Sequence, residues 1–255
     1  MRIATWNVNS VRARLPRVLA WLQDQGPDVV CLQELKCVDE QFPRDDIEAL
    51  GYHCETFGQK TYNGVAILSK STPEDVFRGY PGEDPVVGAR VIGATVGDVM
   101  LLNLYVVNGK EVGDVKYDLK LRWLDGLADF VAGHYPMTDK VVITGDFNVT
   151  FDDRDVYDPV RWHEKILCST PERQALGKLM APGYADAFRK FHDEGGHYTW
   201  WDFRTRGFDR DHGLRIGHFL MSPPALEACT GVVVDKDERG REKPSDHAPV
   251  IATLA

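Results

Sequence analysis

Short apolar runs rich in β-branched residues alternate along the chain with stretches of helical periodicity. This alternation predicts an α/β protein, because all-α and all-β folds do not mix the two patterns throughout. The predicted strands span residues 3–8, 28–33, 64–69, 90–96, 99–105, 140–144, 215–221, 230–234 and 248–253. Gly97-Asp98 joins two of them and is a hairpin signal, so part of the sheet structure is expected to be antiparallel.

Helical periodicity predicts three main helices. The first runs from Ser10, its predicted N-cap, through Gln25, and the other two cover residues 116–131 and 171–180. No Ser/Gly-rich linker or repeat divides the chain, so we expect a single domain over residues 1–255. Strands of both senses fit two packed sheets flanked by helices better than one open sheet.

The charge balance limits how this protein could bind nucleic acid. Thirty basic and thirty-nine acidic residues give a net charge of −9, so any site for DNA must be a local basic patch. The best candidate for such a patch is a segment that contains Arg204, Arg206, Arg210, His212, Arg215 and His218. The alternative is that this segment is a solvated charged loop that does not bind DNA.

Neither a leader nor a membrane span is predicted. The N-terminus lacks the apolar run of a signal peptide, and the apolar stretch 99–107 is short and interrupted by Asn103. The odd number of cysteines and their spacing favour reduced, buried thiols over disulfides or a zinc site. These are Cys31, Cys37, Cys54, Cys168 and Cys229. We expect a soluble cytoplasmic protein.

Four polar clusters follow or precede predicted strands, where a layered scaffold exposes side chains to a cleft. Taken singly, a strand-end Asp or Asn is more typical of a turn or a helix cap. The clusters are Asn7-Val8-Asn9, Gln33-Glu34, Asp146-Phe147-Asn148 and Ser245-Asp246-His247.

In order along the chain, these clusters resemble the endonuclease/exonuclease/phosphatase superfamily, and within it the exonuclease III and abasic (AP) endonuclease family. The matching segments are residues 6–12 (Trp-Asn-Val-Asn-Ser-Val-Arg), 32–36 (Leu-Gln-Glu-Leu-Lys), 145–148 (Gly-Asp-Phe-Asn) and 244–249 (Pro-Ser-Asp-His-Ala-Pro). Residues 58–60, 63–66 and 213–216 add similarity to the bacterial exonuclease III-like branch. The resemblance implies a four-layer α/β sandwich, deoxyribonuclease I-like, with its site at one end of the paired sheets.

The resemblance also implies a magnesium-dependent phosphodiesterase, for which Mn²⁺ is an alternative metal. Glu34 would supply a carboxylate oxygen to the metal and Asn7 an amide oxygen beside it. Asp246 would be a second ligand or an orienting group. A hard cation suits this chemistry because it neutralises charge that develops on the phosphate.

Four further residues take catalytic roles under the same resemblance. Asp146 would orient or deprotonate the attacking water, and Asn148 would hold the same phosphate or fix Asp146. His247 and Tyr105 would donate hydrogen bonds to the phosphate.

Substrate contacts follow from the same family pattern. Trp200 and Leu214 correspond to residues that line a pocket for the sugar, with a place in the core as the alternative for each. Asn9, Arg204 and Arg206 complete the expected DNA contacts, and residues 157–165 should form a loop on the DNA side. The expected partner is double-stranded DNA with abasic sites, nicks or blocked 3′ ends. The chain would act as a monomer and meet the nucleoid through DNA.

Gly217 departs from the family pattern, which has an aspartate at this position after Gly213-Leu214-Arg215-Ile216. In relatives that carboxylate orients the imidazole matched here by His247. We therefore expect weakened but not abolished activity. His218 should not substitute, because adjacent strand residues point to opposite faces.

Two other functions compete with a DNA repair nuclease of base-excision repair. One is a DNA-damage-binding protein that has lost catalysis through Gly217. The other is a superfamily phosphatase that acts on a non-DNA phosphoester, such as a lipid or inositol phosphate. The predicted basic segment and the match at residues 213–216 favour DNA.

Overall fold

The computed structural model describes residues 1–255 and contains twelve strands. They are β1 (Arg2–Asn7), β2 (Val29–Gln33), β3 (His53–Phe57), β4 (Val65–Ser69), β5 (Glu74–Arg78), β6 (Val91–Val96), β7 (Val99–Tyr105), β8 (Lys140–Asp146), β9 (Ala185–Asp186), β10 (Gly217–Met221), β11 (Cys229–Val234) and β12 (Val250–Leu254).

Seven α-helices connect the strands. They are α1 (Leu15–Gln25), α2 (Arg44–Glu48), α3 (Val115–His134), α4 (Pro159–Trp162), α5 (Thr170–Met180), α6 (Pro223–Ala228) and α7 (Lys236–Arg239). None of them is both long enough and apolar enough to cross a bilayer.

The strands form two six-stranded sheets. The first has the order β11-β12-β1-β2-β4-β3 and the second the order β5-β6-β7-β8-β10-β9. Each sheet contains one parallel pair, β1 with β2 and β7 with β8, and all other pairs are antiparallel. The two mixed sheets and their flanking helices confirm the predicted four-layer α/β sandwich.

Three apolar layers hold the sheets and helices together. Alternate side chains of β2 belong to two of these layers. Val29 and Cys31 face the layer between the two sheets, whereas Val30 and Leu32 face the layer beneath α1. Successive strand side chains point to opposite faces, so a strand buried on both sides is continuously apolar. The third layer lies between the second sheet and helices α3 and α5.

The start of the first helix differs from the prediction. Helix α1 begins at Leu15, not at Ser10, because the chain turns back on itself first. Asn9 and Ser10 both adopt positive φ, at 46° and 86°, which is incompatible with an α-helical N-terminus. The Ser10 hydroxyl accepts only a long hydrogen bond from the Ala13 amide, at 3.4 Å.

Three strands, β3, β5 and β9, are missing from the prediction. All three lie at sheet edges. β5 is largely exposed and β9 has only two residues, so none of them carries the continuous apolar run by which the central strands were identified. Short, charged edge strands are a common protection against intermolecular pairing.

A fully buried lysine connects α3, α5 and the loop after β8. Lys120 Nζ forms an ion pair with Glu172, and it donates to the backbone oxygens of Asn148, at 2.6 Å, and Asn108, at 3.2 Å. Glu172 also accepts from the backbone and hydroxyl of Ser169. Burial lowers the pKa of Lys120 against the opposing effect of Glu172. The lysine thereby fixes the backbone at Asn148.

Lys120→Met should destabilise the protein by about 3–5 kcal/mol, because it leaves Glu172 as a buried charge without its partner. The free energy of unfolding from urea denaturation measures the effect. Lys178→Met, which breaks the exposed ion pair with Asp125, is the matched control and should cost less than about 1 kcal/mol. Equal losses in the two variants would contradict this account.

A second buried network surrounds Arg215, and it corrects part of the predicted basic patch. Arg215 donates to Asp155 at 2.7 and 3.0 Å and to Asp186 at 2.6 Å, and it is fully buried. His218 Nδ1 accepts from Arg215 at 3.1 Å, while its Nε2 donates to the Val149 carbonyl at 2.8 Å. Neither Arg215 nor His218 can therefore contact DNA.

Burial, together with the neighbouring Arg215, lowers the pKa of His218 to about 4. An unfolded chain binds a proton on this histidine near pH 6.5. The neutral ring therefore contributes stability that is present above pH 6.5 and is lost as the pH falls toward 4.

His218→Gln should accordingly flatten the dependence of stability on pH between 6.5 and 4.5. Urea denaturation across this range measures the slope. Identical slopes for the variant and the parent protein would show that His218 is not held neutral by the fold.

Candidate active site

The four polar clusters meet at one end of the two sheets. Asn7 ends β1 and Glu34 follows β2, so the parallel pairing of these strands places both at the same edge. Asp146 ends β8 in the opposing sheet, and His247 precedes β12. The side chains of Glu34, Asp146 and His247 place their ligand atoms within 4.8 Å of one another.

The Asn7 amide connects the two sheets at this point. Its Nδ2 donates to Glu34 Oε1 and to Asp146 Oδ2, both at 2.8 Å. Its Oδ1 accepts from the Asn9 backbone amide at 2.9 Å. The structure therefore differs from the prediction that Asn7 presents an oxygen to a metal: the backbone of Asn9 takes that oxygen, and the amide nitrogen faces the carboxylates.

Glu34 is held in its charged form. Burial opposes its ionisation, but hydrogen bonds from Asn7 and Lys36 outweigh burial and lower the pKa of Glu34. Lys36 Nζ lies 2.8 Å from Glu34 Oε2. Glu34 adopts a positive φ of 55°, a backbone conformation that is uncommon for a residue other than glycine.

The pKa of Asp146 is shifted in the opposite direction to that of Glu34. Burial raises the pKa of Asp146, and nearby Glu34 raises it further, against the effects of His247 and Asn7. Asn148, with φ of 48°, turns back so that its backbone amide donates to Asp146 Oδ1 at 3.0 Å. Two carboxylates with opposite pKa shifts suit different roles, one as a permanent anion and the other as a proton acceptor.

Tyr105, at the end of β7, lies close to Glu34 and Asp146 in the cleft. Burial, with Glu34 and Asp146 nearby, raises the pKa of Tyr105 well above its ordinary value. The hydroxyl therefore stays protonated and can donate a hydrogen bond. The guanidinium of Arg90 lies over the tyrosine ring, 4.7 Å from its centroid.

The residues present fit a divalent cation. Carboxylate oxygens of Glu34 and Asp146 lie close together in the cleft, beside the His247 imidazole, and oxygen ligands of this kind are the ones that hard cations prefer. Asp246 is not part of this group. It accepts hydrogen bonds from Asn9 Nδ2 at 2.9 Å and from Trp200 Nε1 at 3.0 Å.

Asn9 lies between Asp246 and the metal-site residues. Its Oδ1 accepts from Lys36 Nζ at 2.6 Å, while its Nδ2 donates to Asp246. The sequence placed Lys36 within a family-like motif but gave no role to it. Its position beside Glu34 shows that it balances the charge of the cleft.

The two residues expected to line a sugar pocket, Trp200 and Leu214, differ in their exposure. Leu214 is fully buried and packs in a small core with Val156 and Ile216, so it lies behind the surface. Trp200 pairs with Leu214 through the backbone and remains half-buried, with its indole nitrogen fixed by Asp246. Of the two residues, Trp200 alone reaches the surface.

The basic segment keeps four of its six predicted members near the surface. Arg204 and Arg206 are exposed, and Arg206 forms an ion pair with Asp209 at 2.7 Å. The predicted loop at residues 157–165 contains α4 and lies beside this segment. The ring of Tyr157 stacks on His212, with centroids 4.4 Å apart.

Gly217 lies directly opposite Asp146 in the β8–β10 pairing. A cavity of about 10 Å³, lined in part by Gly217, Asp146 and His247, adjoins it and has room for a single water. Thr199 Oγ1 accepts from the Gly217 amide at 2.9 Å. The nearest charged atom to His247 Nε2 is Asp146 Oδ2, at 3.7 Å, which is too long for a hydrogen bond.

Comparisons with known proteins agree with this geometry. The model of the endonuclease/exonuclease/phosphatase family matches residues 4–247. Exodeoxyribonuclease III of Haemophilus influenzae is 34% identical, with 99% of each chain covered.

Two solved structures are similar over the whole chain. The 3′ phosphatase NExo from Neisseria, bound to a product DNA hairpin, has a TM-score of 0.96 and 47% identity, covering 100% of this chain and 99% of that one. An AP endonuclease from Archaeoglobus fulgidus has a TM-score of 0.96, 36% identity and the same coverage. The chain therefore belongs to the endonuclease/exonuclease/phosphatase family, and within it to the exonuclease III and AP endonuclease group of DNA repair nucleases.

Proposed function

We propose that this protein is a magnesium-dependent phosphodiesterase of base-excision repair that processes 3′ ends and abasic sites in double-stranded DNA. The observation that carries the proposal is the convergence of Glu34, Asp146 and His247 in one cleft with oppositely shifted carboxylates. Mn²⁺ is the alternative metal. The exposed arginines 204 and 206 support a duplex as the partner, which the protein would meet as a monomer at the nucleoid.

Each side chain has a role in this proposal. A Mg²⁺ ion held by the Glu34 carboxylate would neutralise charge that develops on the phosphate. The raised pKa of Asp146 suits it to accept a proton from the attacking water, and Asn148 holds its carboxylate in place. Tyr105 and His247 donate to phosphate oxygens, while Asn7, Asn9 and Asp246 position the others.

The first substrate to test is a duplex with a 3′-phosphate. The similar NExo structure is that of a 3′ phosphatase with product DNA, at higher identity than the AP endonuclease structure. A small end group also fits a cleft in which Leu214 is buried and does not open a deep apolar pocket.

Asp146→Asn should lower turnover by roughly 10²–10⁴-fold, because an amide cannot take a proton from water. The assay offers labelled duplexes with a 3′-phosphate at a nick, an abasic site or a recessed 3′ end, with Mg²⁺ and then with a chelator. Asp98→Asn is the control, since Asp98 is exposed at the far end of β7 and should leave turnover unchanged.

Three results would contradict the proposal. Binding of all three duplexes without cleavage would favour a damage-binding protein. No binding of DNA would favour a phosphatase of another phosphoester. Full activity in chelator would exclude the metal.

Gly217 should lower the activity by leaving His247 without an orienting carboxylate. The ring has no hydrogen-bond partner within the protein, and His218 is committed to Arg215 and Val149. A Cβ at position 217 would meet Thr199 and Val250 no closer than 3.4 Å, and φ is not in the left-handed region. An aspartate can therefore be introduced without backbone strain.

Gly217→Asp should raise kcat by roughly 5- to 150-fold, which corresponds to the 1–3 kcal/mol of one buried hydrogen-bond partner. Gly217→Asn is the matched control, with the same shape and no charge, and should give a smaller gain. Steady-state kinetics on the preferred duplex separates kcat from KM. An unchanged kcat in the aspartate variant would remove this explanation of Gly217.

A further inference from the structure

A second group of potential metal ligands lies outside the active site, on the loop between Phe188 and Thr199. The ligand atoms of His192, Glu194 and His197 all lie within 4.8 Å of one another. His197 Nε2 is 2.8 Å and His192 Nδ1 is 3.9 Å from the same oxygen, Oε1 of Glu194.

The orientation of His192 is fixed by the backbone of a neighbouring strand. Its Nε2 lies 2.8 Å from the Val232 carbonyl oxygen on β11. A carbonyl only accepts, so Nε2 carries the hydrogen in the neutral ring and Nδ1 has a free lone pair. That lone pair faces a carboxylate oxygen of Glu194, which is also an acceptor. A cation between the two would satisfy both.

The loop holds these side chains in place. Both imidazoles pack on Phe188, with ring centroids 4.3 Å away for His192 and 5.3 Å for His197. Arg189 Nη1 donates to the backbone oxygens of His192, at 3.1 Å, and Glu194, at 2.7 Å. A backbone carbonyl behind one histidine and a fixed loop are the supports found around metal-binding histidines.

The ligand set selects the class of metal. Two imidazole nitrogens and one carboxylate suit Zn²⁺ and related transition-metal ions, whereas Mg²⁺ prefers oxygen ligands. All three side chains are partly or fully exposed, so an ion has direct access.

We propose that His192, Glu194 and His197 bind one divalent transition-metal ion, typified by Zn²⁺, at a site separate from the catalytic cleft. The site has three protein ligands and an open fourth position. It connects the loop to β11 and lies just before Thr199 and Trp200, which hold Gly217 and Asp246. The bound ion would therefore stabilise the positions of Thr199 and Trp200 at the edge of the active site, without contacting the catalytic cleft.

Zn²⁺ titration of the full chain against a chromogenic chelator, in excess Mg²⁺, tests the proposal. The parent protein and Glu34→Gln, which weakens the catalytic cleft as a metal site, should each bind one Zn²⁺ at the loop. His197→Gln should bind it at least tenfold more weakly and should lose the rise in Tm that Zn²⁺ causes in the parent. The cysteines are all buried and should not compete.

Cleavage of DNA by His197→Gln with Mg²⁺ and no Zn²⁺ should equal that of the parent, which shows that the variant is folded. Glu194→Gln gives an independent second variant with the same expected loss of Zn²⁺ affinity. Equal Zn²⁺ affinity in the parent, His197→Gln and Glu194→Gln would overturn the proposal. Loss of Zn²⁺ binding in Glu34→Gln alone would assign the ion to the catalytic cleft and overturn it as well.

Discussion

The candidate active site depends on the two hydrogen bonds that the Asn7 amide donates. The amide donates to Glu34 from one sheet and to Asp146 from the other, each at 2.8 Å. Two carboxylates so close repel each other, and burial makes that repulsion costly. A neutral side chain with two donors satisfies both without adding charge, so the two sheets can bring their strand ends together.

The surrounding charges follow from this arrangement. Lys36 compensates Glu34, whereas Asp146 has no cation in direct contact and keeps a raised pKa. The buried Lys120 stabilises the turn at Asn148 through a hydrogen bond to the Asn148 backbone oxygen. Its ion pair is with Glu172, not with Asp146. Positive charge is therefore placed so that one carboxylate remains an anion while the other can accept a proton.

Much of the fold could be predicted from the sequence, because the central strands are continuously apolar. The candidate site was predicted from the family resemblance of the polar clusters at the strand ends, since each cluster alone is more typical of a turn or a helix cap. The edge strands β3 and β5 lacked that signal. Arg215 and His218 looked like surface charge, since nothing local shows that Asp155 and Asp186 would enclose them. The sequence also did not show which end of the Asn7 amide faces the carboxylates, because a hydrogen bond from the Asn9 backbone to Asn7 Oδ1 sets this orientation. The burial of Arg215 was decided by contacts between residues distant in sequence.

Anomalous diffraction from crystals soaked in Mn²⁺ tests the central claim most directly, namely that Asn7 holds Glu34 beside Asp146 and so forms a metal site at the Glu34 carboxylate. The account predicts a strong anomalous peak at the Glu34 carboxylate, on the side that faces Asp146, and loss of that peak in Asn7→Leu crystals in which the sheets still pack. Absence of a peak at Glu34 in the parent protein, or an unchanged peak in Asn7→Leu, would contradict it.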